Sequence, residues 1–535
     1  MSRDLFARHA LQQVPRILTL LDRNAHSPTY GCFDRNYWHY KILDFPSGMS
    51  QEFVWPLALA YETALEGNPY HGQPVVREWA HAGMRFAARS AHRDGSCDDY
   101  FPYERAGGAA AFALLACVES YTLLQLEDEE LLRFFERRAS WLAGHQESAR
   151  LTNHQALIVL CLELLGRRLS TDRWRRARDA RLAQVLSWQS AEGWFREYEG
   201  CDPGYHTLTI SCLARVLELA PDDERLREAL RRAVRVAAQF VHPDGSYGGE
   251  YGSRNTYNFF PHGFELVGRW MPEALGINDA VLRAAGAGRL PAYEEDHQVG
   301  HHAWNYLLAW RDFVPEARRP APAPRPEGRV HLEEAGLLID RRAGTELYLA
   351  TNKGGVFKLF RDGALVASDT QLSLRVGRGA RERTAVAHLV APYRVELRGG
   401  DEIAVAGRLG WAKRARMTPL RLIALRLASL TVGRFFPNLL RRLLQRLLIV
   451  GKDDAPFTFS RRLRWHDGRW HVSDELRAER GWDDVTGAGI APDQTSIYVV
   501  MSRVFQLGQL RPWLDLTPAV RALAPGEALR VERAP

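Results

Sequence analysis

The chain has 535 residues, 46% of them hydrophobic, 10% aromatic and 25% charged, a composition that excludes a disordered or collagen-like chain and supports several packed cores. Its 71 Lys+Arg against 64 Asp+Glu give a formal net charge of +7, yet the stretch from Trp411 to Lys452 holds about ten basic residues and no acidic one. The remainder sums to about −3 (7 − 10), which excludes a generally basic, polyanion-binding body.

The first residues, Met1 to Asn24, carry Asp4, Arg8 and His9 and lack the apolar core of about 7–15 residues that a secretory signal needs. Arginines interrupt the best candidate for a spanning segment, at Arg421, Arg426, Arg434, Arg441, Arg442 and Arg446. The expected location is cytoplasmic, peripheral on the inner membrane if the basic stretch engages lipid. Six cysteines without CxxC spacing read as free thiols.

From Phe33 to Lys41 an aromatic, polar run contains Trp38, a candidate for stacking on a sugar ring, whereas Trp55 further on reads as core. A period of about 50 residues then dominates: glycines at Gly48, Gly95, Gly144, Gly193, Gly245 and Gly300 each precede polar or aromatic residues and an apolar run. Within each period the spacing predicts two helices. One is apolar nearly all round (Ala106–Leu126, Asn153–Leu165, Thr207–Leu219), and the other is amphipathic and Arg-rich (Val75–Ser90, Leu131–Ala143, Trp174–Trp188, Glu224–Phe240). About six such hairpins predict a closed (α/α) toroid over residues 1–313, with a linear solenoid as the competing arrangement. The prolines of 314–329 read as a stiff linker. From 330 to 535 short β-rich runs, such as Glu346–Ala350 and Gly355–Phe360, predict an antiparallel β-sandwich, so the fold class is multidomain α+β. Residues 411–452 form a basic, amphipathic helical insertion in it, suited to an anionic membrane surface or to covering the sandwich. No nucleic-acid reader motif accompanies this charge.

The repeat sets Asn153-His154 at the start of one inner helix and Tyr205 at the start of the next. Arg254, Asn255, Tyr257 and His262 follow one repeat later. Amide, imidazole, phenol and guanidinium groups at one cleft mouth suit β-elimination on a uronic-acid polysaccharide. The C6 carboxylate is neutralised, the C5 proton removed and the leaving oxygen protonated, without a metal or other cofactor. Trp194, in the loop around Gly193, and His302, in the sixth repeat, complete the expected substrate contacts. His297, His301 and His302 lack a metal-ligand spacing.

A helical toroid followed by a β-sandwich, with Asn-His on one inner helix and a tyrosine about 50 residues on, resembles the heparinase II/III and alginate lyase group of polysaccharide lyases over most of residues 30–410. The resemblance implies Asn153 and His154 as carboxylate neutralisers, Tyr205 as the proton-transfer residue and an acidic polysaccharide as substrate. The family usually adds a histidine from the β-domain. Here the comparable stretch Leu365–Thr370 keeps Asp369 and has no histidine, with His331 and His388 as substitutes outside the motif. Other readings are a membrane-associated sugar-binding protein without catalysis, a uronate C5-epimerase, or a glycosidase using carboxylates among Asp98, Asp99, Glu104, Glu197 and Asp202.

Overall fold

A computed structural model describes residues 3–147, 150–197, 200–292, 297–321, 325–377, 379, 382–387, 392–412, 418–445, 453–490 and 505–535. In chain order the first helices are α1 (Asp4–Leu11), α2 (Val14–Leu20), α3 (Arg35–Trp38), α4 (Val54–Glu62), α5 (Pro74–Ser90), α6 (Gly107–Leu123) and α7 (Glu129–Gly144). Then come α8 (Thr152–Arg168), α9 (Arg175–Ser187), α10 (Pro203–Leu219), α11 (Glu224–Gln239), α12 (His262–Gly268), α13 (Leu275–Gly286) and α14 (His297–Arg311).

Helices α4, α6, α8, α10, α12 and α14 each pack on the next, and α14 packs back on α4. The ring is therefore closed, and the solenoid alternative fails. At the closure Trp55 of α4 stacks on Trp304 of α14, with ring centroids 4.4 Å apart. Helices α5, α7, α9, α11 and α13 lie outside. The sixth outer position belongs to α1, which packs on both α13 and α14. Burial follows from this geometry. The inner helix α6 is buried nearly all round and is rich in Ala and Leu, whereas α11 buries Leu226, Ala229, Leu230, Ala233, Val234 and Ala237 at helical spacing and turns its arginines outward. Aspartates start several of these helices: Asp128 accepts hydrogen bonds from the Glu130 and Leu131 amides, and Asp202 from the Tyr205 amide.

The glycine period resolves into two kinds of site. Gly95, Gly193 and Gly245 have φ of +90°, +102° and +81°, and each closes an equivalent turn against an outer helix, where a Cβ would collide with backbone at Arg138, Arg232 and Ala280 respectively. Gly144 is instead the last residue of α7, and Gly300 lies inside α14.

The described residues on either side of 322–324 in the segment 314–329 are anchored. Buried Arg319 bridges Glu265 (2.9 Å) and Asp279 (2.8 Å) on the toroid, and Arg325 pairs with Glu346 (3.1 Å) on the sandwich.

A two-residue pair, β1 (Arg196–Glu197) and β2 (Gly200–Cys201), precedes α10. The sandwich strands are β3 (Gly328–Leu332), β4 (Leu337–Arg342), β5 (Thr345–Ala350), β6 (Val356–Arg361), β7 (Ala364–Asp369), β8 (Leu372–Val376), β9 (Arg383–Val386), β10 (Arg394–Arg398), β11 (Glu402–Trp411), β12 (Asp454–His466), β13 (Arg469–Ala478), β14 (Val485–Ile490), β15 (Leu514–Asp515) and β16 (Leu529–Arg533). Strands β3 to β7 form an antiparallel meander of five. The others form a second antiparallel sheet, with β11, β12 and β13 at its centre. Leu338, Leu347, Leu349, Phe357 and Leu359 meet Ile403, Leu463, Trp470 and Val472 between the sheets. The alternate residues Ile339, Tyr348, Ala350, Val356 and Phe360 join the toroid core. Burial on both faces explains why these strands read as nearly continuous apolar runs. It also carries the side chains of β6 and β7 onto the toroid.

Candidate active site at the mouth of the toroid

Inner helices α8 and α10 begin at the same end of the ring, with the β1–β2 pair between them. Asn153, the second residue of α8, donates its backbone N–H (2.9 Å) and its Nδ2 (2.7 Å) to the two carboxylate oxygens of Glu197 in β1. A carboxylate at a helix N-terminus meets unpaired amides and the positive end of the helix dipole. Asn153 is thus not the cap residue of α8, which is Leu151. The Nη1 of Arg254 lies 3.5 Å from the same Glu197 carboxylate. Its guanidinium covers the Tyr205 ring, 3.9 Å from the centroid, and the Tyr205 hydroxyl accepts a hydrogen bond from Gln298 Nε2 of α14 (3.2 Å). Four of these side chains, those of Asn153, Glu197, Tyr205 and Arg254, come from segments about 50 residues apart and lie buried together.

Asp202 organises the group from below. Its Oδ1 accepts from the Tyr205 amide (3.0 Å) and from the Thr256 hydroxyl, and its Oδ2 accepts from the Arg254 amide (3.1 Å). The loop that presents Arg254 is held from the other side by the sandwich. Buried Lys353, after β5, donates to the carbonyls of Glu250 (2.7 Å) and Gly252 (2.6 Å) and to Asn255 Oδ1. Asn255 itself adopts a left-handed φ of +57°. Lys358 of β6 pairs with Glu250 (3.3 Å) and lies over the Tyr257 ring, while Ser368 of β7 donates to Glu250 (2.9 Å). The β-domain side chains that hold this loop are therefore two lysines and a serine. Asp369 belongs to the sandwich core, bound by Arg461 (3.0 Å) and Arg533, whose charges hold its carboxyl below the usual range despite burial. His331 is exposed on β3, and His388 lies outside the described residues.

Burial sets the proton affinities. It pushes the Glu197 carboxyl up to about 7 against the opposing pull of Arg254 and Asn153. The Tyr205 phenol rises to about 12, again through burial and despite Arg254. Lys353 falls to about 7, because desolvation outweighs the attraction of Asp202 and Glu250. His154 stands at the rim with its side chain 17% exposed and its Nδ1 3.0 Å from Glu147 Oε1. Its ring lies against Gly108 at the start of α6, where any Cβ would collide with it.

The other expected contacts have structural partners. Trp38 donates its indole N–H to the Leu20 carbonyl (2.7 Å), and buried Trp194 donates to Glu192 (2.8 Å). His262 joins α12 to Asp312 (2.8 Å), and its own N–H meets Asn305. His302 stacks on Phe260 and bonds the Gln298 carbonyl (2.7 Å). Each is buried or half-buried by packing, so none of the four is a demonstrated wall of the Tyr205 cluster. Among the carboxylates, Glu197 and Asp202 enter the cluster. Asp98 and Glu104 instead accept loop amides between α5 and α6, and Asp99 accepts from Ser47. Glu197 was visible in the sequence only as one acid among five. Lys353 and Lys358 carried a compositional signal, since Lys41, Lys353, Lys358, Lys413 and Lys452 are the only lysines of this Arg-rich chain.

No protein-family profile matches this chain, and no curated protein matches it. Among solved structures it is similar to the Streptomyces coelicolor A3 chondroitin AC lyase in complex with chondroitin sulphate, at a TM-score of 0.55 and 13% identity over 92% of this chain and 68% of that one. A point mutant of the same lyase gives a TM-score of 0.50 and 11% identity over the same shares. A heparan sulfate lyase mutant from Pedobacter heparinus gives 0.45 and 12%, over 99% of this chain and 80% of that one. The fold is thus the helical toroid with a β-sandwich seen in chondroitin AC lyase.

Proposed function

We propose that the chain acts on an acidic, uronate-containing polysaccharide, cleaving it by β-elimination at the mouth of the toroid. The observation that carries this reading is the convergence of Asn153 and Arg254, both carboxylate-binding groups, beside the protonated phenol of Tyr205. Asn153 Nδ2 donates to Glu197, while its buried Oδ1 has no hydrogen-bond partner among the described residues. On substrate binding the Nδ2 donor would exchange Glu197 for a C6 carboxylate gaining enolate character, with Arg254 alongside. His154, its Nδ1 engaged by Glu147, has Nε2 left to take the C5 proton. The C5–H electrons form the C4–C5 double bond, the bond from C4 to the glycosidic oxygen breaks, and Tyr205 protonates that leaving oxygen. Burial keeps the Tyr205 phenol protonated, so it enters the reaction carrying the proton that the leaving oxygen needs and not as the base. Similarity of fold to a lyase bound to chondroitin sulphate supports the same substrate class.

Incubation with chondroitin, heparan sulfate, alginate and polygalacturonate is expected to yield, with one of them, new reducing ends together with the ultraviolet absorbance of an unsaturated uronide. New reducing ends without that absorbance would sink elimination and favour hydrolysis, a reading supported by the Glu197 carboxyl, which burial raises to about 7, toward the range of a glycosidase acid. Deuterium incorporation at C5 without cleavage would instead mark an epimerase.

A further inference from the structure

Between β11 and β12 the chain makes an excursion that leaves at Trp411 and returns at Asp453, where the Trp411 amide bonds the Asp453 carbonyl (2.8 Å). Its described part holds α15 (Pro419–Ala428), a π-turn (Ser429–Gly433) and α16 (Pro437–Gln445). The excursion does not cover the sandwich. Helix α15 buries no side chain, and within the described excursion only Ser429, Gly433 and Leu440 are buried, packed between its own two arms. Large apolar side chains are left in solvent instead: Leu420 is 79% exposed, Phe435 72%, Phe436 63%, Leu427 58%, Leu439 56% and Ile423 55%. A soluble surface rarely leaves so many apolar side chains together without an occupant.

Contacts with the body fix where this face sits. Arg426 pairs with Asp44 (2.6 Å) and covers Phe45, and Arg434 covers Tyr103. These residues belong to the loops that lead into α4 and α6, at the same ring end where α8 and α10 present Asn153 and Tyr205. The Tyr103 loop runs on to Gly108, against which His154 rests. Tyr40, Ile42 and Tyr100 are exposed on the same two loops.

We propose that the excursion 418–445 docks on an anionic lipid bilayer, apolar side chains in the interface and arginines among the headgroups, and so holds the mouth of the toroid close to the membrane surface. Charge decides the occupant. Arg421, Arg426, Arg434, Arg441 and Arg442 lie among the apolar residues, and no Asp or Glu occurs between Trp411 and Lys452. A second copy of the chain would bring the same positive charge against itself, whereas anionic lipid answers both the charge and the apolar face. No described helix is long and apolar enough to cross a membrane. The inference is independent of the reaction assigned to the cleft.

Co-sedimentation of the full chain with phosphatidylcholine vesicles, with or without phosphatidylglycerol, tests it, with a thermal melt of each variant as the control for folding. The expected result is binding that requires phosphatidylglycerol and weakens with salt. It should fall roughly tenfold or more in Phe435→Ser/Phe436→Ser and about fivefold in Arg421→Gln, whose side chain is exposed in the first turn of α15. Absence of binding to either vesicle, or binding that both variants leave intact, overturns the proposal. So does a dimer in sedimentation velocity that Phe435→Ser/Phe436→Ser dissociates, because a second copy then covers the face.

Discussion

Glu197 ties the chemistry of the candidate site to its stability. Its carboxyl has an ordinary value of 4.5 and is pushed to about 7 in the folded chain, so between those values the folded state holds a proton that the unfolded state has lost. The stability contributed by this group is full below about pH 4.5 and is lost as pH rises through 7. Glu197→Gln, neutral throughout, is expected to remove that decline. In urea titrations from pH 4.5 to 7.5, the variant should lose less stability than the parent by an amount on the order of 2–3 kcal/mol; equal slopes would mean that Glu197 does not titrate in this window. On activity, Asn153→Ala should lower kcat about 10²–10³-fold with little change in KM, as expected for a donor used mainly in the transition state. Tyr205→Phe should lower it by about 10²–10⁴-fold. Retained turnover in both variants would remove the elimination reading.

The turns and loops carry a second group of consequences. Gly245 sits at φ +81° with the Ala280 carbonyl where a Cβ would go, so Gly245→Ala should destabilise the toroid by about 1–3 kcal/mol in denaturant titration, whereas Gly144→Ala, at the last residue of α7 with open space around it, should be neutral or slightly stabilising. The loop Glu250–Tyr257 depends on Lys353. Replacing it by methionine leaves three buried acceptors without their donor, each such loss costing about 1–3 kcal/mol. Lys353→Met is expected to speed hydrogen exchange at residues 250–257 and to lower activity through misplaced Arg254. Because the Lys353 value is depressed from 10.5 to about 7, the unfolded state binds the extra proton between those values. The parent should therefore gain stability as pH rises from 7 toward 10.5, an increment that the methionine variant lacks. The turn glycines were legible because each recurs in the same local sequence. The lysine clamp was not, because nothing local says what Val356–Phe360 faces on its second side.

The whole molecule depends on two joins, the ring closure at Trp55–Trp304 and the face of the β3–β7 sheet laid on the toroid. Trp304→Ala opens the first join, losing the stack and the indole N–H bond to Glu52, and is expected to cost about 3–5 kcal/mol. If the ring is one cooperative unit, circular dichroism and tryptophan fluorescence will shift together; separate transitions would mean that its repeats melt independently. Sequence by itself determined the helix pairs, the switch to strands near residue 330, the basic excursion and the register that brings Asn153 and Tyr205 to one end, because these follow from periodicity and from charges counted along the chain. Tertiary structure alone decided that Glu197 occupies Asn153, that Arg254 covers Tyr205, that two lysines about 100 residues downstream hold the Arg254 loop, and that Trp38, Trp194 and His262 are engaged in packing. An aromatic or charged side chain in a loop looks the same in sequence whether it faces a cleft or a neighbouring element, and only closure of the ring and docking of the sandwich assign its partner.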